Sequence, residues 1–210
     1  MFYLDDSRSG PTASEWGVFM GTSHHEPMAR ADKEQSRFLQ GRWDWGSNKA
    51  GVQTFMKEGA QRSKGWLTMY TLGMRGSGDA ASPTLTSAAL EDVIKWQQST
   101  LAQALGKDLA SIPQQWVMYK EVPGYWQNGM KVSDDITLLW SDDNRGNIRR
   151  IPIANETTRR GGSGSKQLQR FLITSSGDSG EQPRRVSWFR FVPSPCQLSF
   201  RMANTDSYTS

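Results

Sequence analysis

The sequence contains one cysteine, Cys196, and two histidines, His24 and His25. A single cysteine excludes an intrachain disulfide, and with so few cysteine and histidine ligands no zinc site is apparent. The chain also lacks the apolar run of about 20 residues that crosses a bilayer, and it lacks the basic-then-apolar start of a secretory signal peptide. We therefore predict no metal, no cofactor and no membrane partner, while the oligomeric state stays open.

Several catalytic and binding motifs are absent as well. No strand pattern is followed by Gly-x-Gly-x-x-Gly, and no P-loop, Ser-His-Asp elbow or cysteine nucleophile is recognisable. The net charge of +4 does not indicate a nucleic-acid partner either. Residues 1–158 carry a net charge of −1, and the +5 of residues 159–210 lies in a stretch without a known nucleic-acid-binding motif.

What the sequence does contain is a series of apolar segments, each followed by polar residues. Helical patterns at 47–64 and 87–105 separate some of them, and this alternation indicates parallel βαβ units. About four units are visible, half of the roughly eight that close a (β/α)₈ barrel. An open doubly wound sheet is the alternative. The four predicted strands are residues 16–20, 66–72, 115–119 and 136–140.

Polar side chains cluster at the same end of every predicted strand. Because the carboxyl ends of parallel strands meet at one edge, residues more than 100 positions apart are expected to line one pocket. Paired carboxylates suit glycosidic hydrolysis, and the planar arginine side chain suits a carboxylate on the substrate, which favours a uronic acid. A purely structural alternative pairs Glu121 with Arg75 or Lys120. The clusters are His24 to Glu26, Arg75 with Asp79, Lys120 with Glu121, and Asp142 to Asn144.

These segments resemble glycoside hydrolase family 115, the xylan α-1,2-glucuronidases. The resemblance rests on GVFMGTSHHEPM (17–28), GRWDW (41–45), TLGMRGSGD (71–79), YKEV (119–122), GYWQNGMKVSDDITLLWSDDN (124–144) and GNIRRIP (146–152). It implies a partial (β/α)₈ barrel of about four units in a chain that is a truncated central part of the catalytic domain, with relatives that are secreted. It also implies Glu121 and Asp79 as catalytic carboxylates. The implied substrate-binding residues are His24, His25, Glu26, Arg75, Asp142, Asn144, Trp43 and Trp45.

The match ends near Gly164, where the family continues with Tyr-Tyr-His and this chain reads Ser165-Lys166-Gln167. We therefore divide the chain into a catalytic part, 1–158, and a divergent, poorly ordered extension, 159–210. The expected function is inverting release of (4-O-methyl)glucuronic acid from glucuronoxylan or aldouronic oligosaccharides. The alternative is an inactive fragment that at most binds such oligosaccharides.

Overall fold

A seven-stranded sheet flanked by helices forms the frame of the computed structural model, which describes residues 2–3, 9–143, 150, 152–167 and 188–192. The strands are β1 Phe2–Tyr3, β2 Met20–Gly21, β3 Thr68–Leu72, β4 Gln114–Met118, β5 Thr137–Ser141, β6 Ser163–Gln167 and β7 Trp188–Val192. The helices are α1 Ser9–Glu15, α2 Gln35–Phe38, α3 Trp45–Arg62, α4 Ser87–Leu105, α5 Val122–Gln127 and α6 Ala154–Thr157. Short 3₁₀ turns occupy Asp32–Glu34, Ser77–Asp79 and Leu109–Ser111.

The strands are neighbours in the order of the chain, from β1 to β7. β1 to β6 are parallel, and β7 pairs antiparallel with β6. The expected α/β class with a parallel sheet is therefore confirmed. Parallel pairing places the segments that follow β2, β3, β4 and β5 at one edge of the sheet, which is where the polar clusters of the sequence lie.

The first predicted strand, residues 16–20, is wrong for most of its length. The segment begins as the end of α1: the Val18 amide donates to the Ala13 carbonyl at 2.8 Å and the Gly17 amide to Ser14 at 3.0 Å. This pair of bonds, with Gly17 at a φ of +68°, is a Schellman C-cap. Trp16 is 80% exposed. The sequence pattern therefore predicted a buried strand from an apolar residue that in fact lies exposed at the end of a helix.

The two long helices bury their apolar faces against the sheet and each other, as their patterns predict. α4 begins after Thr86, whose hydroxyl accepts from the Ala89 amide, and ends at Gly106 in the left-handed conformation. Each fully buried aliphatic or aromatic side chain on these helices contributes about 1.5–3 kcal/mol. None of the helices within the described ranges has the length and apolar content to cross a membrane. Buried members of the two faces are Val52, Phe55, Met56, Leu90, Ile94 and Leu101.

β6 lies beyond the predicted boundary between residues 158 and 159. It pairs with β5 from Leu138↔Ser163 to Ser141↔Lys166, and the Ser163 side chain donates to the Leu138 carbonyl at 3.0 Å. The start of the segment after the boundary thus belongs to the sheet in this structure. The division into a catalytic part and a poorly ordered extension stays a prediction, because residues 168–187 and 193–210 lie outside the described ranges.

Gly59 offers a test of how α3 supports the loop that follows β2. A Cβ on Gly59 would collide with the Met28 carbonyl oxygen, and Met28 has little freedom because it adopts a φ of 59°. We expect Gly59→Ala to lower the free energy of unfolding by about 1–3 kcal/mol, as overpacking does. Gly124→Ala is the matched control, since nothing lies within 4 Å of its added Cβ. Equal denaturant midpoints for the two variants would contradict the prediction.

Candidate active site

The loop after β3 carries the central residue of the site, Arg75. The loop is fixed from behind by the buried Gln97 amide, which accepts from the Gly73 amide and donates to the Gly73 carbonyl, both at 2.8 Å. The Trp43 indole donates to the Arg75 carbonyl at 2.9 Å. A side chain of α4 and one from just before α3 therefore hold the backbone of this loop in place.

The Arg75 guanidinium joins the two carboxylates that the sequence proposed as catalytic. Nε donates to Glu121 Oε1 at 2.9 Å and Nη2 to Oε2 at 2.8 Å, a bidentate ion pair. Nη1 donates to the Asp79 carboxylate and to the Asp79 carbonyl. The side chain of Arg75 is 2% exposed, whereas Asp79 and Glu121 are 28% and 27% exposed. The cation is thus buried beneath two carboxylates that face solvent.

The turn after β4 brings two adjacent side chains, Lys120 and Glu121, to the same place. Lys120 adopts a φ of 52°, a conformation that is uncommon for residues other than glycine. Its Nζ donates to Asp79 Oδ2 at 3.1 Å and to the Asp79 carbonyl at 3.2 Å. Asp79 also has a positive φ, of 63°. Two loops with unusual backbone conformations are therefore linked by an ion pair.

The loop after β2 supplies the two histidines. His24 Nε2 lies 2.7 Å from Asp79 Oδ1, and the His24 ring packs against the Tyr119 ring with centroids 4.5 Å apart. His25 Nδ1 lies 3.0 Å from Ser23 Oγ and 3.9 Å from Asp79 Oδ1. Both histidines are partly buried beside Asp79. The expected meeting of the β2, β3 and β4 loops is therefore present, with Asp79 in contact with all three.

The remaining predicted residues lie at the edge of this cluster or outside it. Glu26 shapes its own loop, because its carboxylate accepts from the Ser23 amide at 3.2 Å and from the Asp32 amide at 2.7 Å. Asp142 is buried directly after β5. Asn144 lies outside the described residues, so its predicted contact with substrate stays a prediction.

Trp43 and Trp45 lie in the core and do not offer the open face expected of a sugar platform. They are 7% and 6% exposed. The Trp43 ring packs edge-on against Phe55, and the Trp45 ring packs against Trp96. This packing arises because both residues flank the start of α3. Their contact with substrate stays a prediction, supported for Trp43 by its place in an open depression of about 260 Å³ beside Gly76 and Ser77.

Two residues of the site were not singled out from the sequence: Gln97 and Tyr119. Tyr119 stands beside Lys120 and Glu121 in the YKEV segment, so this adjacency was the signal available. Gln97 lies on the inner face of α4, where a polar residue among leucines and isoleucines indicates a buried hydrogen-bond partner. Its pairing with Gly73 could be recognised only in three dimensions.

Electrostatics at the site favour an ionised Glu121. Burial alone would raise its pKa, but the hydrogen bonds from Arg75, a backbone hydrogen bond and the charges of Arg75 and Lys120 together hold the pKa below its ordinary value. His24, His25 and Asp79 present three donor atoms within 4.8 Å of one another, the geometry of a possible metal site. A cation there would face Arg75 and Lys120 across the same carboxylate, so the local charge does not fit a metal.

The comparison with known families decides the classification. The family model described as Glycosyl hydrolase family 115 matches residues 1–165. The chain belongs to glycosyl hydrolase family 115. The matched region contains every described residue of the cluster around Arg75. A search of curated proteins found no match.

Solved structures agree with this family 115 assignment. One similar structure is described as a family GH115 4-O-methyl-α-glucuronidase with specificity for decorated arabinogalactans. It is 35% identical to this chain, with a TM-score of 0.68, over 74% of this chain. The alignment covers 21% of that larger protein, so the present chain spans about a fifth of the length of the solved structure.

Proposed function

We propose that this chain carries the catalytic carboxylates of an inverting α-glucuronidase that releases (4-O-methyl)glucuronic acid side chains from a polysaccharide. The observation that carries the proposal is the position of Asp79 and Glu121 on one buried arginine. The cation is buried and the carboxylates are 28% and 27% exposed, and His24, His25 and Lys120 from two further loops lie against Asp79. This convergence of titratable groups supports a role toward a ligand.

The fold supports the proposal that the chain forms part of a (β/α)₈ barrel. Its strands follow one another around the sheet in chain order, as barrel strands do, whereas a doubly wound sheet reverses its order at a switch point. In a barrel the active site lies at the carboxyl ends of the strands. The loops after β2, β3 and β4 meet there.

Glu121 is the group we propose as general base. Its lowered pKa keeps it ionised at neutral pH, so it can accept a proton from the water that attacks the anomeric carbon. Asp79 is the second carboxyl that glycosidic hydrolysis requires, and we propose that it takes part in proton transfer to the departing sugar oxygen together with His24, whose Nε2 lies 2.7 Å from Asp79 Oδ1.

The substrate we propose is a uronic-acid-decorated polysaccharide, with glucuronoxylan as the first choice. The specificity of the similar solved structure for decorated arabinogalactans makes such a polymer the second choice. Both carry an acidic sugar, and the cluster supplies two cationic side chains, Arg75 and Lys120, to balance its own carboxylates and meet an anionic ligand. We also propose, as an alternative, that the chain binds such oligosaccharides without cleaving them.

Incubation with 4-O-methylglucuronoxylan and with glucuronic-acid-decorated arabinogalactan tests these proposals. We expect release of free uronic acid, first formed as the β anomer because an inverting reaction turns over the α linkage. Chromatography measures release and proton NMR measures the anomer, with unsubstituted xylan as the control polymer. Calorimetric binding of an aldouronic oligosaccharide without release would support the binding alternative. Absence of both release and binding would refute the proposed function.

A further inference from the structure

Four of the five donors of Arg75 are already occupied and its side chain is buried, which raises the question of which group binds the carboxylate of a uronic acid. A guanidinium has five N–H donors. In this structure Nε and Nη2 donate to Glu121, and Nη1 donates to both the carboxylate and the carbonyl of Asp79. These bonds use four of the five donors, and with a side chain that is 2% exposed, Arg75 has little access for a second carboxylate.

Lys120 is the accessible cation of the cluster. Its side chain is 44% exposed, and its partners within the described residues are two atoms of Asp79 and the face of the Tyr119 ring, 5.2 Å from Nζ. An ammonium group has three donors, so one remains for a ligand. The Tyr119 ring also packs against the His24 ring, so two aromatic side chains lie beside Lys120 Nζ.

The backbone conformation of Lys120 explains how two consecutive side chains, Lys120 and Glu121, both contact the same cluster. Consecutive side chains of an extended segment point in opposite directions. The left-handed backbone conformation of Lys120 interrupts this alternation. The Lys120 side chain therefore contacts Asp79 while the Glu121 side chain contacts Arg75. Such a conformation costs a non-glycine residue about 1–2 kcal/mol, which indicates that the position of both side chains matters.

We propose that Lys120, rather than Arg75, binds the carboxylate of the uronic acid and thereby selects acidic over neutral sugars. This inference rests on the proposed function, since it names the group of the site that recognises the substrate's acid. Asp79 and Glu121 do not repel the ligand strongly, because the charges of Arg75 and Lys120 together balance the two carboxylates. Lys120 then provides both the positioning of Asp79 and the selectivity for the ligand.

The test compares two ligands, an aldouronic oligosaccharide and its carboxyl methyl ester, by calorimetric titration. We expect the unaltered chain to bind the acid roughly 10- to 100-fold more tightly than the ester, the range of a hydrogen bond to a charged group. In Lys120→Gln this ratio should fall to about one, whereas Lys120→Arg should keep much of it. Lys95→Gln is the control, because Lys95 is 69% exposed on α4 and pairs with Glu91.

Each outcome decides between the alternatives. An unchanged ratio in Lys120→Gln would overturn the inference and leave the proposed function intact, since Lys120 would then serve only to hold Asp79. A ratio near one in the unaltered chain would overturn it as well. Failure of the unaltered chain to bind either ligand would refute the proposed function itself. If Lys120→Gln unfolds, Lys120→Asn replaces it, because asparagine adopts left-handed backbone conformations more readily.

Discussion

Replacing Arg75 by methionine is expected to destabilise the protein by about 3–5 kcal/mol and to abolish uronic acid release. The side chain is buried and forms ion pairs with two carboxylates, Asp79 and Glu121. Removing one member of such a group leaves the others without compensation, which is the origin of the large cost. Denaturant titration measures the loss of stability, and chromatography of the released uronic acid measures activity.

Arg75→Lys should restore little of either property. A lysine has one compact ammonium group and cannot bind Glu121 in the bidentate manner of the guanidinium while also reaching Asp79. Arg37→Met is the control, because Arg37 is an exposed arginine of α2. A loss below about 1 kcal/mol for Arg75→Met, the range of surface ion pairs, would mean that Arg75 does not organise the site.

The sheet strands that the sequence predicted well are those buried along most of their length. β3, β4 and β5 each contain several apolar residues and lie within about two residues of their predicted bounds, because their packing and their hydrophobic pattern coincide. β2 has two residues, too few to produce a pattern. An exposed tryptophan at the end of α1 then supplied a misleading signal.

The sequence predicted the features of the candidate site that follow from the order of the parallel strands. It did not predict those that follow from the backbone conformation of single residues. Parallel strands bring their carboxyl ends together, so the meeting of Asp79 with Glu121 followed from the strand order. The left-handed turn at Lys120 did not, since lysine has no preference for that conformation. The sequence also did not predict the burial of Trp43 and Trp45. An aromatic side chain in a turn can equally pack against the hydrophobic core or stay exposed and stack against a sugar ring.

Replacing Glu121 by glutamine is expected to reduce uronic acid release by a factor on the order of 10³, within the range of general base catalysis, while binding of an aldouronic oligosaccharide is kept. Glutamine has the shape of glutamate but cannot accept a proton from water at neutral pH. Glu58→Gln is the matched control, because Glu58 also pairs with an arginine, Arg30, but lies away from the cluster around Arg75. Release measures catalysis and calorimetry measures binding.

The pH dependence provides a separate check on Glu121. Its pKa in the folded chain lies below the ordinary value of 4.5, so the charged form is favoured by folding. The contribution of ionised Glu121 to the stability of the folded chain is therefore fully present above about pH 4.5, and it is lost as the pH falls through the lowered pKa. We expect kcat/KM to show its acidic limb below pH 4.5.

The structural alternative, in which Glu121 serves only as a partner of Arg75, predicts instead that Glu121→Gln lowers the unfolding midpoint but leaves release within about tenfold of the unaltered chain.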